Sequence, residues 1–139
     1  RIQIVDQEGL SMFPSGSASM YDHTERVLGL VTEIIKKMPQ DIAISGHTDA
    51  VPMGGDGTYS NWELSSDRAN AARRGLLRLG VPEKRIARVV GKAATEPLLP
   101  DNPTDAKNRR LSIVLMRGTG EQTAPKPSGP PPSIIRPDG

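Results

Sequence analysis

The sequence contains no cysteine, and this absence excludes disulfide bonds, thiolate metal sites and a cysteine nucleophile. Aromatic residues are also scarce, because only Phe13, Tyr21, Tyr59 and Trp62 occur among the 139 residues. No apolar run approaches the roughly 20 residues that cross a bilayer as a helix. The 18 Lys and Arg residues nearly balance the 16 Asp and Glu residues, which argues against a nucleic-acid binder that relies on bulk charge.

Proline and glycine are concentrated at the end of the chain. Residues 119–139 contain six prolines and three glycines, a composition that removes backbone hydrogen-bond donors and raises chain entropy. We therefore predict one folded domain over residues 1–118 and a disordered tail over residues 119–139. The chain has no initiating methionine and opens in mid-pattern at Arg1, so we expect it to be a fragment of a longer protein.

Hydrophobic periodicity predicts six elements in the order β-α-β-α-β-β. Asp22 and Glu25 form a capping-box pattern before a run of apolar residues at helical spacing, and Pro39 ends this run. A second helix is predicted with Ser65 as its N-cap. This alternation favours an α/β (α+β) fold, a mixed sheet with two main helices packed on one face. The predicted helices cover residues 22–38 and 64–79, and the predicted strands cover residues 1–7, 41–47, 85–92 and 111–117.

Two pairs of side chains suggest catalytic or metal chemistry. His47 and Asp49 could supply two metal ligands, but no third ligand is evident, so we predict no metal site and no cofactor. Asp49 and Glu63 flank a glycine-rich loop at residues 50–60 and could act as the paired carboxylates of a glycosidase. Clefts that cleave carbohydrates usually carry several aromatic residues, and this chain has few. The sequence therefore favours a non-enzymatic function, with a carbohydrate-cleaving enzyme as the alternative.

Three polar clusters stand at positions that an open α/β sheet brings to one rim. They are residues 46–49 after the second strand, residues 61–69 around the start of the second helix and residues 108–110 before the last strand. We expect Asp49 and Arg68 to lie near each other there, with Arg68 in the first helical turn, where the dipole disfavours a cation. Either they form a plain salt bridge, or they bind a zwitterion through its ammonium and its carboxylate.

Taken together, the three clusters resemble the signature of the OmpA-like peptidoglycan-binding domain family. The resemblance rests on GHTD at residues 46–49, NWELSSDRA at residues 61–69 and NRR at residues 108–110, in that order and at the family's spacing. It implies the family's βαβαββ-like sandwich and a non-catalytic function without a cofactor. The ligand that it implies is the diaminopimelate-containing peptide stem of peptidoglycan.

The resemblance also implies roles for six residues. In the family, the aspartate of the first motif and the arginine of the second hold the ammonium and the carboxylate of diaminopimelate, and these positions are Asp49 and Arg68 here. Further positions that line the family's pocket correspond to Thr48, Asn61, Leu64 and Arg109. The loop at residues 50–60 is longer than in the common family pattern, which changes the rim of the implied pocket.

Two segments are similar to the branch of this family that occurs in flagellar stators, namely MFPSGSA at residues 12–18 and SNWELSSDRANAARR at residues 60–74. This likeness implies a periplasmic domain of an inner-membrane-anchored protein in a Gram-negative bacterium. It also implies a role in torque generation and motility, a MotA-type stator subunit as partner and a homodimer. Met53, Tyr59, Trp62 and a few exposed leucines are the candidates for a dimer interface. The alternatives are a Pal-type or OmpA-type anchor without a motor role, and a muropeptide-cleaving enzyme.

Overall fold

A computed structural model describes residues 1–6, 10–54 and 57–116. The main elements follow in the predicted order, β1-α1-β2-α2-β3-β4. The tail predicted at residues 119–139 lies outside the described residues, so it stays a prediction. The bounds are β1 Ile2–Val5, α1 Asp22–Lys36, β2 Ile42–His47, α2 Asn61–Arg78, β3 Ile86–Gly91 and β4 Arg110–Leu115, with short 3₁₀ turns at Glu83–Arg85 and Ala106–Asn108.

The four strands form one mixed sheet in the order β1-β4-β2-β3. Strand β2 lies between its parallel partner β3 and its antiparallel partner β4, and β1 pairs with β4 antiparallel. A parallel pair needs a long crossover connection, which α2 supplies between β2 and β3. His47 at the end of β2 stands opposite Arg110 at the start of β4. The residues that follow β2 and precede β4 therefore meet at the same edge of the sheet.

The core lies on one face of the sheet, because alternate residues of each strand point towards that face. Ile42 and Ile44 of β2 and Leu111 and Ile113 of β4 are almost fully buried in one apolar cluster with residues of both helices. The helix residues of this cluster are Leu28, Val31, Ile35, Ala69, Ala71, Ala72 and Leu76. The prediction of a mixed sheet with two helices on one face is confirmed.

Helix α2 begins earlier than predicted. Its N-cap is Ser60, whose hydroxyl accepts a hydrogen bond from Trp62 N at 3.2 Å, while Glu63 accepts one from Ser60 N at 2.7 Å. The prediction of Ser65 as N-cap is wrong, because the reciprocal capping box needs an acidic residue three positions after the serine, and Ser60 has it. Ser65 is buried inside the helix, where its hydroxyl donates to Trp62 O and accepts from Ala93 N.

Helix α1 begins at Asp22, as predicted, and ends at Lys36, two residues before the predicted end. The predicted capping box of Asp22 and Glu25 is wrong. The N-cap position is Tyr21, whose side chain makes no capping hydrogen bond.

In the part of the chain that the structure describes, neither this helix nor any other is long and apolar enough to cross a membrane.

Helix α2 lies directly on β2 and β3 because two glycines leave no side chain between them. A Cβ atom at Gly46 would lie 2.2 Å from Ser65 O, and one at Gly91 would lie 2.1 Å from Ser66 Oγ. Both distances are far below van der Waals contact, so only glycine fits at these positions. The close approach fixes the first half of α2 against the ends of both strands.

Candidate functional site

A cavity of about 470 Å³ opens where the end of β2, the first half of α2, the residue before β4 and the segment at residues 11–16 meet. Glu63, the second carboxylate of the enzyme alternative, does not line it and instead caps α2. The fold therefore brings the predicted binding residues together but does not join the predicted pair of catalytic carboxylates. All six predicted site residues line the cavity, namely Thr48, Asp49, Asn61, Leu64, Arg68 and Arg109.

Thr48 and Asp49 follow β2 directly and are buried. Thr48 N donates to Ala93 O at 2.9 Å, and the Thr48 hydroxyl donates to Asp49 O at 2.8 Å. The Asp49 Oδ1 atom accepts a hydrogen bond from Val51 N at 3.0 Å, which closes an Asx-type turn. These bonds fix the carboxylate of Asp49 at the cavity wall.

Arg109 joins two carboxylates that are far apart in the sequence. Its Nε donates to Asp6 Oδ2 at 2.8 Å, and its Nη1 donates to Asp49 Oδ2 at 2.5 Å. The other oxygen of the buried Asp6 accepts from Met12 N at 2.8 Å. Burial acts to lower the pKa of Arg109, but the hydrogen bonds to Asp6 and Asp49 outweigh it and raise that pKa. Arg109 thus ties β1 and the segment before α1 to the residues after β2.

Arg68 is held without a carboxylate. It lies in the third turn of α2, not the first as expected, so the helix dipole does not explain its position. Its Nε donates to Ser17 O at 2.8 Å, one terminal nitrogen donates to Pro14 O at 3.2 Å, and Cζ lies 4.8 Å from the centre of the Phe13 ring. Within the described residues no acidic side chain pairs with it, so the plain salt bridge with Asp49 that was one alternative is absent.

The burial of Arg68 gives the cavity its clearest chemical preference. The residue is only 6% exposed, and this burial lowers the pKa of its guanidinium. The carboxylates of Asp6 and Asp49 offset part of this effect through charge interactions, but the hydrogen-bond partners of Arg68 are neutral, so an anion in direct contact would stabilise its buried charge further. A carboxylate of a ligand would supply that anion and could accept two parallel hydrogen bonds from the guanidinium.

The four charged groups at the site balance one another. Asp6 and Asp49 carry two negative charges, and Arg68 and Arg109 carry two positive charges. Each oxygen of Asp49 accepts one described protein hydrogen bond and can accept a second. A ligand with one carboxylate and one ammonium would therefore find a partner for each group without adding net charge.

Asn61 and Leu64 form the wall of the cavity on the side of α2. The Asn61 amide donates to Val51 O at 3.1 Å and to Asp49 O at 3.4 Å, so it holds the chain that follows β2. Leu64 is buried and contributes an apolar surface. This wall offers contact to the aliphatic part of a ligand whose charged end reaches Asp49 and Arg68.

Asp6 and Phe13 contact the two arginines of the cavity, and the sequence analysis did not single them out. Asp6 lies 103 positions before its partner Arg109, and no local pattern connects them. Phe13 lies in the segment at residues 12–18, which the resemblance singled out without giving it a role. One feature of the sequence could have drawn attention to Phe13. It is the sole phenylalanine of the chain and lies beside an irregular stretch rich in serine.

His47 and Arg110 do not belong to this cavity. Both line a separate groove on the opposite face of the sheet, together with Lys92 and Glu96. Burial lowers the pKa of His47 to about 4, and the positive charge of Arg110 adds to this effect. The described residues contain no group of three side chains arranged to hold a metal ion. His47 and Asp49 therefore face different environments, although they are two positions apart.

Comparison with known proteins places this geometry in a family. A sequence model of the OmpA family matches residues 12–110. The chain belongs to the OmpA family. This OmpA-family chain is 43% identical over 123 residues to Motility protein B of Escherichia coli (strain K12), a match that covers 88% of the chain and 40% of the relative. The chain thus spans less than half the length of that relative.

Solved structures share the OmpA-family fold of this chain. The periplasmic domain of Helicobacter pylori MotB superposes with a TM-score of 0.72 at 21% identity, covering 88% of this chain and 85% of that one. The cell wall anchor of the T6SS from Pseudomonas aeruginosa gives a TM-score of 0.65 at 28% identity, covering 75% and 73%. The predicted resemblance to the family, and to its flagellar branch, is confirmed.

Proposed function

We propose that this OmpA-family domain binds peptidoglycan without catalysis and anchors a flagellar stator to the cell wall. The observation that carries the proposal is the buried guanidinium of Arg68, which lacks a carboxylate partner in a cavity that also holds Asp49. Diaminopimelate in the peptide stem carries an ammonium and a carboxylate on one carbon. In this proposal the carboxylate pairs with Arg68 and the ammonium with Asp49.

The remaining predicted residues have supporting roles in the proposal. Arg109 orients the Asp49 carboxylate, because it bridges Asp49 and Asp6. Thr48 and Asn61 hold the backbone around Asp49, and Leu64 contacts the methylene groups of the ligand. Substitution of any of these should weaken binding less than loss of Asp49 or Arg68.

The stator role rests on the 43% identity to Motility protein B. The proposed stator role includes a periplasmic location, attachment to the inner membrane, a MotA-type subunit as partner and a homodimer. The 28% identity to the T6SS cell wall anchor gives looser support to the alternative, an envelope anchor without a motor role. Recovery of the upstream chain separates the two, since a transmembrane helix containing an Asp is typical of a stator.

Binding of peptidoglycan can be tested by co-sedimentation with purified Gram-negative sacculi. We expect Asp49→Ala and Arg68→Ala each to weaken binding by about 30-fold or more, because removing one partner of a desolvated charged pair costs about 2–5 kcal/mol. Arg74→Ala is the matched control, because Arg74 is an exposed arginine of the same helix. Circular dichroism verifies that each variant is folded.

The results distinguish the site from the function. Wild-type affinity in both folded variants would refute the assignment of Asp49 and Arg68. Absence of binding by wild-type protein would refute the proposed function. The enzyme alternative is tested on the same sacculi, because release of muropeptides above the buffer level would show catalysis.

A further inference from the structure

The groove on the face of the sheet that points away from the helices has a volume of about 360 Å³. This size is in the range of about 300–1,000 Å³ that is typical of small-molecule sites. Side chains alternate along a strand, so the strand residues of this groove are those that the apolar core does not use. We call it the sheet groove and define it by Ser45, His47, Arg88, Lys92, Arg110 and Ser112.

Positive charge dominates the sheet groove. Arg1, Arg88, Lys92 and Arg110 line it, and Glu96 is the one carboxylate among the described residues that do so. Glu96 pairs with Lys92 at 3.0 Å. Within the described residues, the three arginines of the groove have no ion-pair partner. The excess of positive charge disfavours a metal cation and favours an anion as occupant.

Arg110 and His47 stand opposite each other on neighbouring strands, and both are buried. They are 6% and 5% exposed. The terminal nitrogens of Arg110 donate to Glu96 O at 2.8 Å and to Asn108 O at 3.4 Å, while its Nε has no hydrogen-bond partner within the described residues. His47 Nδ1 is also buried without such a partner there. Because buried polar groups without partners are rare and costly, these two side chains indicate a polar occupant of the groove.

The electrostatics of Arg110 favour an anionic occupant. Burial and the nearby charge of Arg1 lower the pKa of the Arg110 guanidinium, and Glu96 offsets only part of this effect. An anion in the groove would therefore stabilise the charge of Arg110. His47, whose pKa is lowered to about 4, is neutral at pH 7, and its imidazole then still offers one N–H as a donor.

Two serine hydroxyls add neutral donors to the groove. Ser45 of β2 and Ser112 of β4 are directly opposite each other, and the next pair on this face of the same two strands is His47 with Arg110. Among the described residues, no hydrogen bond uses the hydroxyl of Ser45 or of Ser112. The two pairs are about 7 Å apart along the strands, so one small anion with several oxygens can reach donors of both.

We propose that the sheet groove binds a phosphate monoester, that is, a small molecule with a terminal phosphate. The site is separate from the cavity with Asp49 and Arg68 and does not depend on the proposed function. The phosphate carries about two negative charges at neutral pH and above, and it has three strong acceptor oxygens. These oxygens accept hydrogen bonds from Ser45, Ser112 and the guanidinium of Arg110, while Arg88 and Lys92 supply positive charge from the side of β3.

The charge and burial of the groove distinguish a phosphate from other anions. A carboxylate would bring one negative charge to a groove with four cationic side chains and one carboxylate, whereas a phosphate brings two. A membrane of anionic lipids would contact the exposed Arg1 and Arg88. It would not reach Arg110 and Ser112, which are only 6% and 4% exposed, but a small phosphate can enter the groove.

The test is isothermal titration calorimetry at pH 8 and constant ionic strength, with inorganic phosphate, glycerol 3-phosphate and acetate as probes. We expect both phosphates to bind the wild-type chain at least about tenfold more tightly than acetate, because they carry the greater charge. Arg88→Gln and Arg110→Gln should each weaken phosphate binding about tenfold, which is the loss expected for one charge-assisted hydrogen bond. Arg88 is exposed, so Arg88→Gln tests the site even if Arg110→Gln does not fold.

Two control variants locate the anion. Arg74→Gln removes the same charge from an exposed position of α2 and should bind phosphate as the wild type does. Arg68→Ala should also keep the wild-type affinity for phosphate, because Arg68 belongs to the other cavity. In amide NMR spectra, glycerol 3-phosphate should shift the signals of Ser45 and Ser112 and leave that of Asn61 unchanged.

Each contrary outcome overturns the proposal. If the wild type does not bind phosphate, or binds acetate equally well, the groove is not a phosphate site. If folded Arg88→Gln and Arg110→Gln keep the wild-type affinity, or Arg68→Ala loses it, the anion binds elsewhere. If the chain binds vesicles of phosphatidic acid but not glycerol 3-phosphate, this face docks on a membrane instead. Co-sedimentation of Arg88→Gln with sacculi should match that of the wild type, so the proposed function is tested separately.

Discussion

Arg68 and Arg109 reach the same cavity but are held in opposite ways. Arg109 is paired with two carboxylates and so serves to position Asp49. Arg68 has two backbone carbonyls and the Phe13 ring as its described contacts, so no carboxylate of the described residues is hydrogen-bonded to it. Of the two arginines, Arg68 is therefore the one suited to receive a ligand carboxylate.

His47 should make the stability of the domain depend on pH. Its pKa is lowered from the ordinary 6.5 to about 4, chiefly by burial. As pH falls from about 6.5 to about 4, the unfolded chain binds a proton that the folded chain does not, so stability decreases and then stops changing. A shift of this size corresponds to about 3 kcal/mol at most.

Substitution of His47 measures this contribution directly. We expect the difference in unfolding free energy between wild type and His47→Gln to change with pH between 4 and 6.5 and to be constant above 7. Urea denaturation at a series of pH values gives the unfolding free energy of both proteins as a function of pH. Subtracting one curve from the other cancels the contribution of the carboxylates, which the two proteins share. A difference that does not vary with pH would contradict the burial of a neutral histidine.

At the scale of the elements, the contact of α2 with the sheet depends on glycine. Gly46→Ala should destabilise the domain by about 1–3 kcal/mol or more, because the new Cβ would lie 2.2 Å from Ser65 O. Gly29→Ala is the matched control within α1, where nothing lies within 4 Å. It should stabilise the domain by about 0.5–1 kcal/mol, because alanine is the better helix former. Urea denaturation of the two variants should thus give shifts of opposite sign.

The order and type of the elements could be predicted from the sequence because apolar periodicity is a local signal. The start of α2 could not be fixed in the same way, since Ser60 and Ser65 are both suitable caps and only Ser60 has a carboxylate three positions later. The ion-pair partners of the charged residues could not be predicted, because these partners are far apart in the sequence. The resemblance identified Asp49, Arg68 and Arg109, but pairing of Arg109 with Asp6 depends on how β1 and β4 align.

At the scale of the whole molecule, the predicted domain boundary is open to a direct test. We predict that residues 119–139 form no packed element, so their removal should change the free energy of unfolding by less than about 0.5 kcal/mol. Binding to sacculi should also be unchanged. Thermal and urea denaturation of the shortened chain check the first expectation, and co-sedimentation checks the second. A large loss of stability would show that the tail packs on the domain.

The pairing of β1 with β4 also determines how the sheet would respond to a pull on β1. Ile2 stands opposite Ile113 and Val5 opposite Arg110, so β1 runs towards the edge of the sheet where the cavity with Asp49 and Arg68 lies. Tension applied between Arg1 and a ligand bound in that cavity would act along the strand rather than across it. The ladder between β1 and β4 is then loaded in shear, in which its hydrogen bonds and the Asp6–Arg109 ion pair share the force at the same time. A force that peeled β1 sideways would break them one after another.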